Sequence, residues 1–304
     1  MMRCISHLEF KRRAREHQVR FRTEELKVGY HTYPNVLTQG DARRGLIFYE
    51  EFREAILTHL GQPVPVTSSA PSGQMLTNLL RSEHIPYNIF FPMNGDKEGC
   101  CALFNEIIGG SIAVVEDIVI EFHPEPIEEY LADHTAFDVY VSYIDTDGSR
   151  CGIGIEVKYT EKEYPLKDGS SEYRHIKDEN GHTRLFANYL NATDRSGYYN
   201  ANATHDILIT NKFRQIWRNH ILGAAMVLHG DIAHFISITL YPEANGHFHN
   251  DALPHYAELL SDYGKRSFVA LTYERLFYLM ECCFTTEQSI RWIDYLRRRY
   301  LFDY

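Results

Sequence analysis

Residues 136–161, AFDVYVSYIDTDGSRCGIGIEVKYTE, constrain the chain more than any other stretch. β-Branched and aromatic residues fill 137–144, turn chemistry (DTDGSR) occupies 145–150, and a second β-rich run covers 151–159. This is the pattern of a hairpin. Side chains alternate across a strand, so one face carries Phe137, Val139, Val141 and Tyr143, with Ile153, Ile155 and Val157 on the second strand. The other face carries Asp138, Tyr140 and Ser142, with Gly152, Gly154, Glu156 and Lys158. Setting Asp138 opposite Glu156 keeps both apolar sets on one side, whereas a one-residue slip mixes them. The predicted hairpin gathers two carboxylates and an ammonium at the exposed end of a buried sheet.

Gathered carboxylates repel one another unless a cation sits between them. Magnesium suits hard oxygen ligands and is usually held by one or two carboxylates plus substrate phosphate. A nearby lysine can orient an attacking water and offset charge that develops on a phosphoryl group. Asp138 followed on the next strand by Glu156-Val157-Lys158 resembles the motif of the PD-(D/E)xK nuclease superfamily, although Phe137 stands where that family has proline. Glu-x-Lys alone is unspecific. It also occurs at Glu9-Phe10-Lys11 and Glu25-Leu26-Lys27, in charged, helix-like surroundings that read as solvated surface. For the third copy the plain alternative is a charged hairpin edge.

The order of elements supports the resemblance. Residues 97–108 (KEGCCALFNEII) read as a helix burying Cys101, Phe104 and Ile108, and 111–122 read as a long strand bent at Glu116-Asp117. A short acidic helix at 124–134 leads into the hairpin. The clearest helix is 211–230, with Phe213, Ile216, Trp217, Ile221, Ala224, Ala225 and Leu228 on one stripe. Residues 232–241 form a near-continuous apolar strand, expected where both faces are buried. The sequence helix, strand, strand, strand, helix, strand is the αβββαβ core of that superfamily, an α/β fold with a mixed, restriction-endonuclease-like sheet. The resemblance implies a Mg²⁺-dependent nuclease, with Mn²⁺ able to substitute, that hydrolyses DNA as bacterial restriction-type endonucleases do. It further implies that Asp138 and Glu156 bind metal and Lys158 positions the nucleophile. Glu106 matches the acidic residue that the family's first core helix often presents to the metal, the simpler alternative being a solvated helix glutamate. The Gln-x-x-x-Tyr of the exonuclease branch is not met, because position 219 is Asn.

The remaining segments read as additions. Residues 6–26 are helix-compatible, Asp41 is placed to cap a helix running to Gly61, and 63–73 (PVPVTSSAPSG) is linker-like. A short helix at 74–83 and an extended segment at 85–93 follow. The chain divides into a helical elaboration, 1–73, and a nuclease-like domain, 74–304, packed as one unit with it. Helices at 273–283 and 286–299 and a strand at 267–272 close the chain. His247 and His249 lie in a loop with no third ligand, which reads as an exposed pair rather than a zinc site.

Candidate nucleic-acid contacts come from two places. Gln215, Arg218 and Asn219 fall off the stripe of the 211–230 helix, where they are able to face the cleft. The long polar segment 162–202 interleaves basic residues with tyrosines, among them Lys162, Arg174 and Tyr198. Such a segment suits phosphates and splayed bases, and equally suits the packing of subunits. Net charge of −10 argues against a nonspecific nucleic-acid coat but not against a nuclease, whose positive charge need only be local. Arg and Lys cluster at 11–22 and 291–299, a pattern that usually marks solvated helix faces. Apolar content of 44% provides ample core for 304 residues. The longest apolar run, 107–115, is interrupted by Gly109-Gly110 and does not approach a membrane span. Six cysteines without zinc or disulfide spacing, and no signal-peptide core, point to a reduced cytoplasm. Cleavage of both duplex strands favours a homodimer. The alternative of another class is a non-catalytic nucleic-acid-binding or assembly protein that keeps the nuclease fold.

Overall fold

The computed structural model describes residues 6–61 and 74–302. The linker-like segment 63–73 lies outside the described residues. Helix α1 (His7–Phe21) is capped by the Ser6 side chain and runs on into a wider turn at Arg22–Leu26. The single helix expected up to Gly61 is instead two short ones, α2 (Gln39–Arg43) and α3 (Arg53–Gly61). Gly45 at φ +67° breaks the path between them, and Thr38 rather than Asp41 is the cap. Residues 74–83 form turns, not a helix. The segment expected to be extended holds α4 (Ile85–Ile89), five buried residues with Pro86 in the first turn. A helix buried all round offers no amphipathic period to read.

Asp96 then caps α5 (Lys97–Ile108), whose buried residues are Gly99, Cys100, Leu103 and Phe104, so the expected face is rotated. The sheet begins with β1 (Ile112–Phe122), β2 (Phe137–Asp145) and β3 (Arg150–Val157). Between β1 and β2 the expected acidic helix is a single turn at Ile127–Glu129. The segment after β3 is not a bare loop: it contains α6 (Ser171–Ile176) and α7 (Ala187–Arg195), then α8 (His205–Leu208). Next come α9 (Arg214–His229), β4 (His234–Tyr241), α10 (Leu253–Glu258) and α11 (Asp262–Arg266). The chain ends with β5 (Phe268–Thr272), α12 (Tyr273–Cys283) and α13 (Glu287–Tyr300).

The five strands lie in the order β1-β2-β3-β4-β5. The first three are antiparallel, and β4 and β5 are added parallel. The register of β1 on β2 shifts between Val115 and Asp117, which is the expected bend. Both faces of the sheet are covered. On one side Val139, Val141, Ile153, Ile155 and Val157 pack with α5, α12 and α13, and Ala14 and Phe21 of α1 join the same core. On the other side Tyr140 and Phe235 pack with Trp217 and Ile221 of α9, Tyr189 of α7 and Tyr256 of α10. A smaller cluster joins Leu37, Phe48, Ile56 and Tyr87 to Ile120 of β1, tying the N-terminal helices to the sheet edge.

Phe137 departs from the alternation expected of it. Its ring lies 5.3 Å from that of Phe235, on the α9 side, over Gly154. A Cβ at residue 154 would meet that ring at 2.5 Å, so glycine is what lets the phenylalanine cross the strand pair there.

Candidate active site

The β2–β3 ladder runs from Ile144–Arg150 to Val139–Ile155, which sets Asp138 level with Glu156, the predicted register. At that end a side chain replaces a main-chain partner: Asp138 Oδ2 accepts a hydrogen bond from the Val157 N–H at 2.6 Å. Lys158 continues past the strand with its backbone held on both sides. Its N–H donates to the Leu240 carbonyl at 2.8 Å, and its carbonyl accepts from the Tyr273 hydroxyl at 2.8 Å. The ammonium is ion-paired with Glu156, donates to Gln215 Oε1 at 2.7 Å and lies 5.6 Å from the centre of the Tyr164 ring.

Helix α9 serves this strand end from above. Gln215 and Asn219 lie one turn apart, and while Gln215 accepts from Lys158, the Asn219 amide donates to Glu156. Glu156 and Lys158 are thus each held by α9 as well as by one another. The close approach needs Gly223, where a Cβ would fall 2.0 Å from the Phe235 ring.

A third carboxylate comes from β1. Glu121 sits between the pairs Ile120–Val139 and Phe122–Phe137, level with Asp138. Its φ of +57° is left-handed, and beyond it Phe122 stacks on Tyr140 at 4.3 Å. Glu121, Asp138 and Glu156 therefore form a row across three adjacent strands. Burial, then the Glu156 and Glu83 carboxylates, push Glu121 up to about 7. Burial, then Glu156 and Glu121, hold Asp138 well above the usual carboxylate range, against the opposing pull of Lys158 and the Val157 N–H. For Lys158 burial acts downward, but Glu156 and Asp138 outweigh it and the ammonium is raised.

This is a site with negative charge in excess, and a cation would relieve it. Among the described residues no group of three or more His, Cys, Asp or Glu side chains is arranged to hold a metal ion. Magnesium needs only one or two protein carboxylates, taking its other oxygens from water and phosphate. Asp138 and Glu156 meet that requirement, with Glu121 beside them.

The other sequence-predicted residues are placed differently. Glu106 is exposed on α5, near Cys283 of α12. That helix packs on the sheet face opposite the one that carries Asp138 and Glu156, so Glu106 stands apart from the row. Arg218 is mostly buried and committed: it pairs with Asp133 at 2.8 Å and Glu172 at 3.1 Å, and donates to the Tyr189 hydroxyl at 2.8 Å. Tyr198 is buried, its ring stacked on His220 at 4.3 Å, which leaves no face for a base. Arg174 is exposed on α6, and Lys162 is exposed beyond Lys158. His247 is buried, not exposed, with Glu163 and Asp251 nearby.

Two contributors were missed or half seen. Asn219 is legible in the sequence as a polar residue able to face the cleft, but not as a partner of Glu156. Glu121 has a signal, a carboxylate ending the run Ile118-Val119-Ile120, but it becomes informative only once the β1–β2 register is known. That register spans a 14-residue connection no sequence rule fixes.

A mixed sheet of three antiparallel and two parallel strands, with an acidic row and a Glu-x-Lys lysine at one strand end, defines a nuclease-type α/β protein. A family model described as the PD-(D/E)XK nuclease superfamily matches residues 6–302, and the chain belongs to that superfamily. No curated protein and no solved structure gives a match. Among the described residues no helix is long and apolar enough to cross a membrane.

Proposed function

We propose that the chain is a Mg²⁺-dependent endodeoxyribonuclease, with Mn²⁺ able to substitute. The observation that supports this best is the row Glu121, Asp138, Glu156 with the Lys158 ammonium beside it. Asp138 and Glu156 are the metal-holding pair, and Glu121 takes the place expected of Glu106. The cation, when bound, lowers the pKa of a water and neutralises the scissile phosphate. Lys158 orients the attacking water and offsets charge that grows on the phosphoryl oxygens. Gln215 and Asn219 are positioning residues: they hold Lys158 and Glu156 in line before substrate arrives. DNA is the substrate implied by the resemblance to restriction-type enzymes, and cutting both strands favours a homodimer.

The test is supercoiled plasmid incubated with Mg²⁺, with Mn²⁺ and with chelator, beside an RNA duplex of matched length. Nicked and linear plasmid should appear only with metal, and Asp138→Asn should abolish both. A protein that binds plasmid yet leaves it supercoiled in either metal would be the non-catalytic alternative, and would end this reading.

A further inference from the structure

A cavity with a volume of about 640 Å³ is lined in part by Tyr164. Its lining joins the N-terminal helix to the segment that follows the lysine of the acidic site. Lys11 and Arg15, one turn apart on α1, face it together. Their neighbours Arg12 and Arg13 are tied to Glu9 and Glu16, whereas Lys11 and Arg15 have no acidic partner among the described residues. Arg81 pairs with Glu83 and leaves its Nε without a hydrogen bond. Lys162 stands at the other wall, with a side chain 52% exposed. Against these cations the lining holds two carboxylates. Glu161 is occupied by the backbone N–H groups of Ser82 at 3.0 Å and Tyr159 at 2.7 Å, and Glu163 lies 4.0 Å from Lys162.

Two tyrosines complete the lining. Tyr33 is 65% exposed with no ring partner among the described residues. Tyr164 also lies beside the Lys158 ammonium, so this ring borders both the cavity and the lysine of the acidic site. Unpaired cations around an open concavity attract phosphate, and exposed aromatic faces stack bases without regard to sequence. A cavity of this size takes about one or two nucleotides, not a base-paired duplex.

We propose that this cavity is a subsite for an unpaired nucleotide of the substrate strand, next to the bond that is cut, a role that presupposes the nuclease activity proposed above. Its phosphate lies on Lys11, Arg15 and Arg81, and its base lies against Tyr33 or Tyr164. The N-terminal helix is then part of substrate binding, and strands with unpaired ends or gaps are preferred over continuous duplex.

The experiment is equilibrium binding, in chelator, of a short fluorescent oligothymidine and of a blunt duplex, over a range of salt. The parent is compared with the double variant Lys11→Gln/Arg15→Gln, both residues being exposed. Affinity for the oligothymidine should fall at least about tenfold, and its log–log salt slope should become shallower by up to about 0.7, the share of one lost phosphate contact on a single strand. An unchanged slope, or an equal loss on blunt duplex, would overturn the subsite. So would thymidine monophosphate competing as well as the oligothymidine does, since the cavity would then serve a free nucleotide. Binding is read without metal, so a parent protein that fails to cut plasmid removes the nuclease reading while this measurement still stands.

Discussion

At the scale of single residues the decisive one is Lys158, only 4% exposed and held by Glu156, Gln215 and two backbone bonds. An idle surface lysine would not be held in this way. Its loss has two separable consequences. Glu156 is left buried with Asp138 and Glu121 and no counter-charge, and breaking a buried pair from one side costs about 3–5 kcal/mol. In the proposed mechanism the chemical step loses a preorganised cation, which typically costs about a hundred- to a thousandfold in kcat. Lys158→Ala should therefore melt lower and, where still folded, turn over slowly while DNA affinity changes far less. Single-turnover cleavage and a melting curve check both, and parent-rate cleavage by this variant would sink the assigned role.

At the scale of elements, the site depends on how closely α9 lies on the sheet, because Gln215 and Asn219 ride on that helix. Gly223→Ala puts a methyl group into the Phe235 ring, and overpacking of this kind typically costs about 1–3 kcal/mol. Stability and cleavage rate should fall together, and adding Phe235→Leu should recover a good part of both. If the single variant keeps the parent's melting temperature and rate, α9 is not set by this contact. The hairpin, the apolar β4 and α9 were legible in the sequence because each has a strong periodic or compositional signature. Elements in the N-terminal third were not: α4 is buried on all sides and the path through Gly45 depends on a left-handed turn. Part of the candidate site was legible as well, since Asp138, Glu156 and Lys158 are fixed relative to one another by one tight turn. Glu121 was hidden because its place depends on pairing across a 14-residue connection rather than a tight turn. The tyrosine-rich segment misled for a related reason: Tyr189 and Tyr198 look like an exposed binding surface by composition, yet α6 and α7 fold back to cover α9.

For the whole molecule, the acidic row makes stability depend on pH and on cations. Glu121 binds its proton more tightly when folded, since its value is raised to about 7. Its contribution is thus fully present below the ordinary glutamate range and is lost as pH rises through about 7, a change on the order of 3 kcal/mol. In chelator the parent should lose melting temperature across this window, and Glu121→Gln should lose less, the remainder coming from Asp138, whose carboxyl is also raised. Mg²⁺ or Mn²⁺ should restore stability on the alkaline side, by about 2.7 kcal/mol at a hundredfold excess over Kd. A flat pH profile for the parent, or equal slopes for parent and variant, would show that Glu121 does not carry the effect.

The pairing of α1 with α13 bears on how the chain is made. Gln18 of α1 donates to the Tyr159 hydroxyl and to the carbonyl of Arg299, 281 residues further on, while His17 reaches the carbonyls of Arg298 and Arg299. Tyr159 directly follows Lys158. On a ribosome, where synthesis proceeds at about 5–20 residues per second, α1 waits on the order of tens of seconds for the α13 carbonyls that it braces. The strand end that carries Lys158 is therefore clasped only once α13 has emerged, so a chain still being made presents Tyr159 without its full bracing.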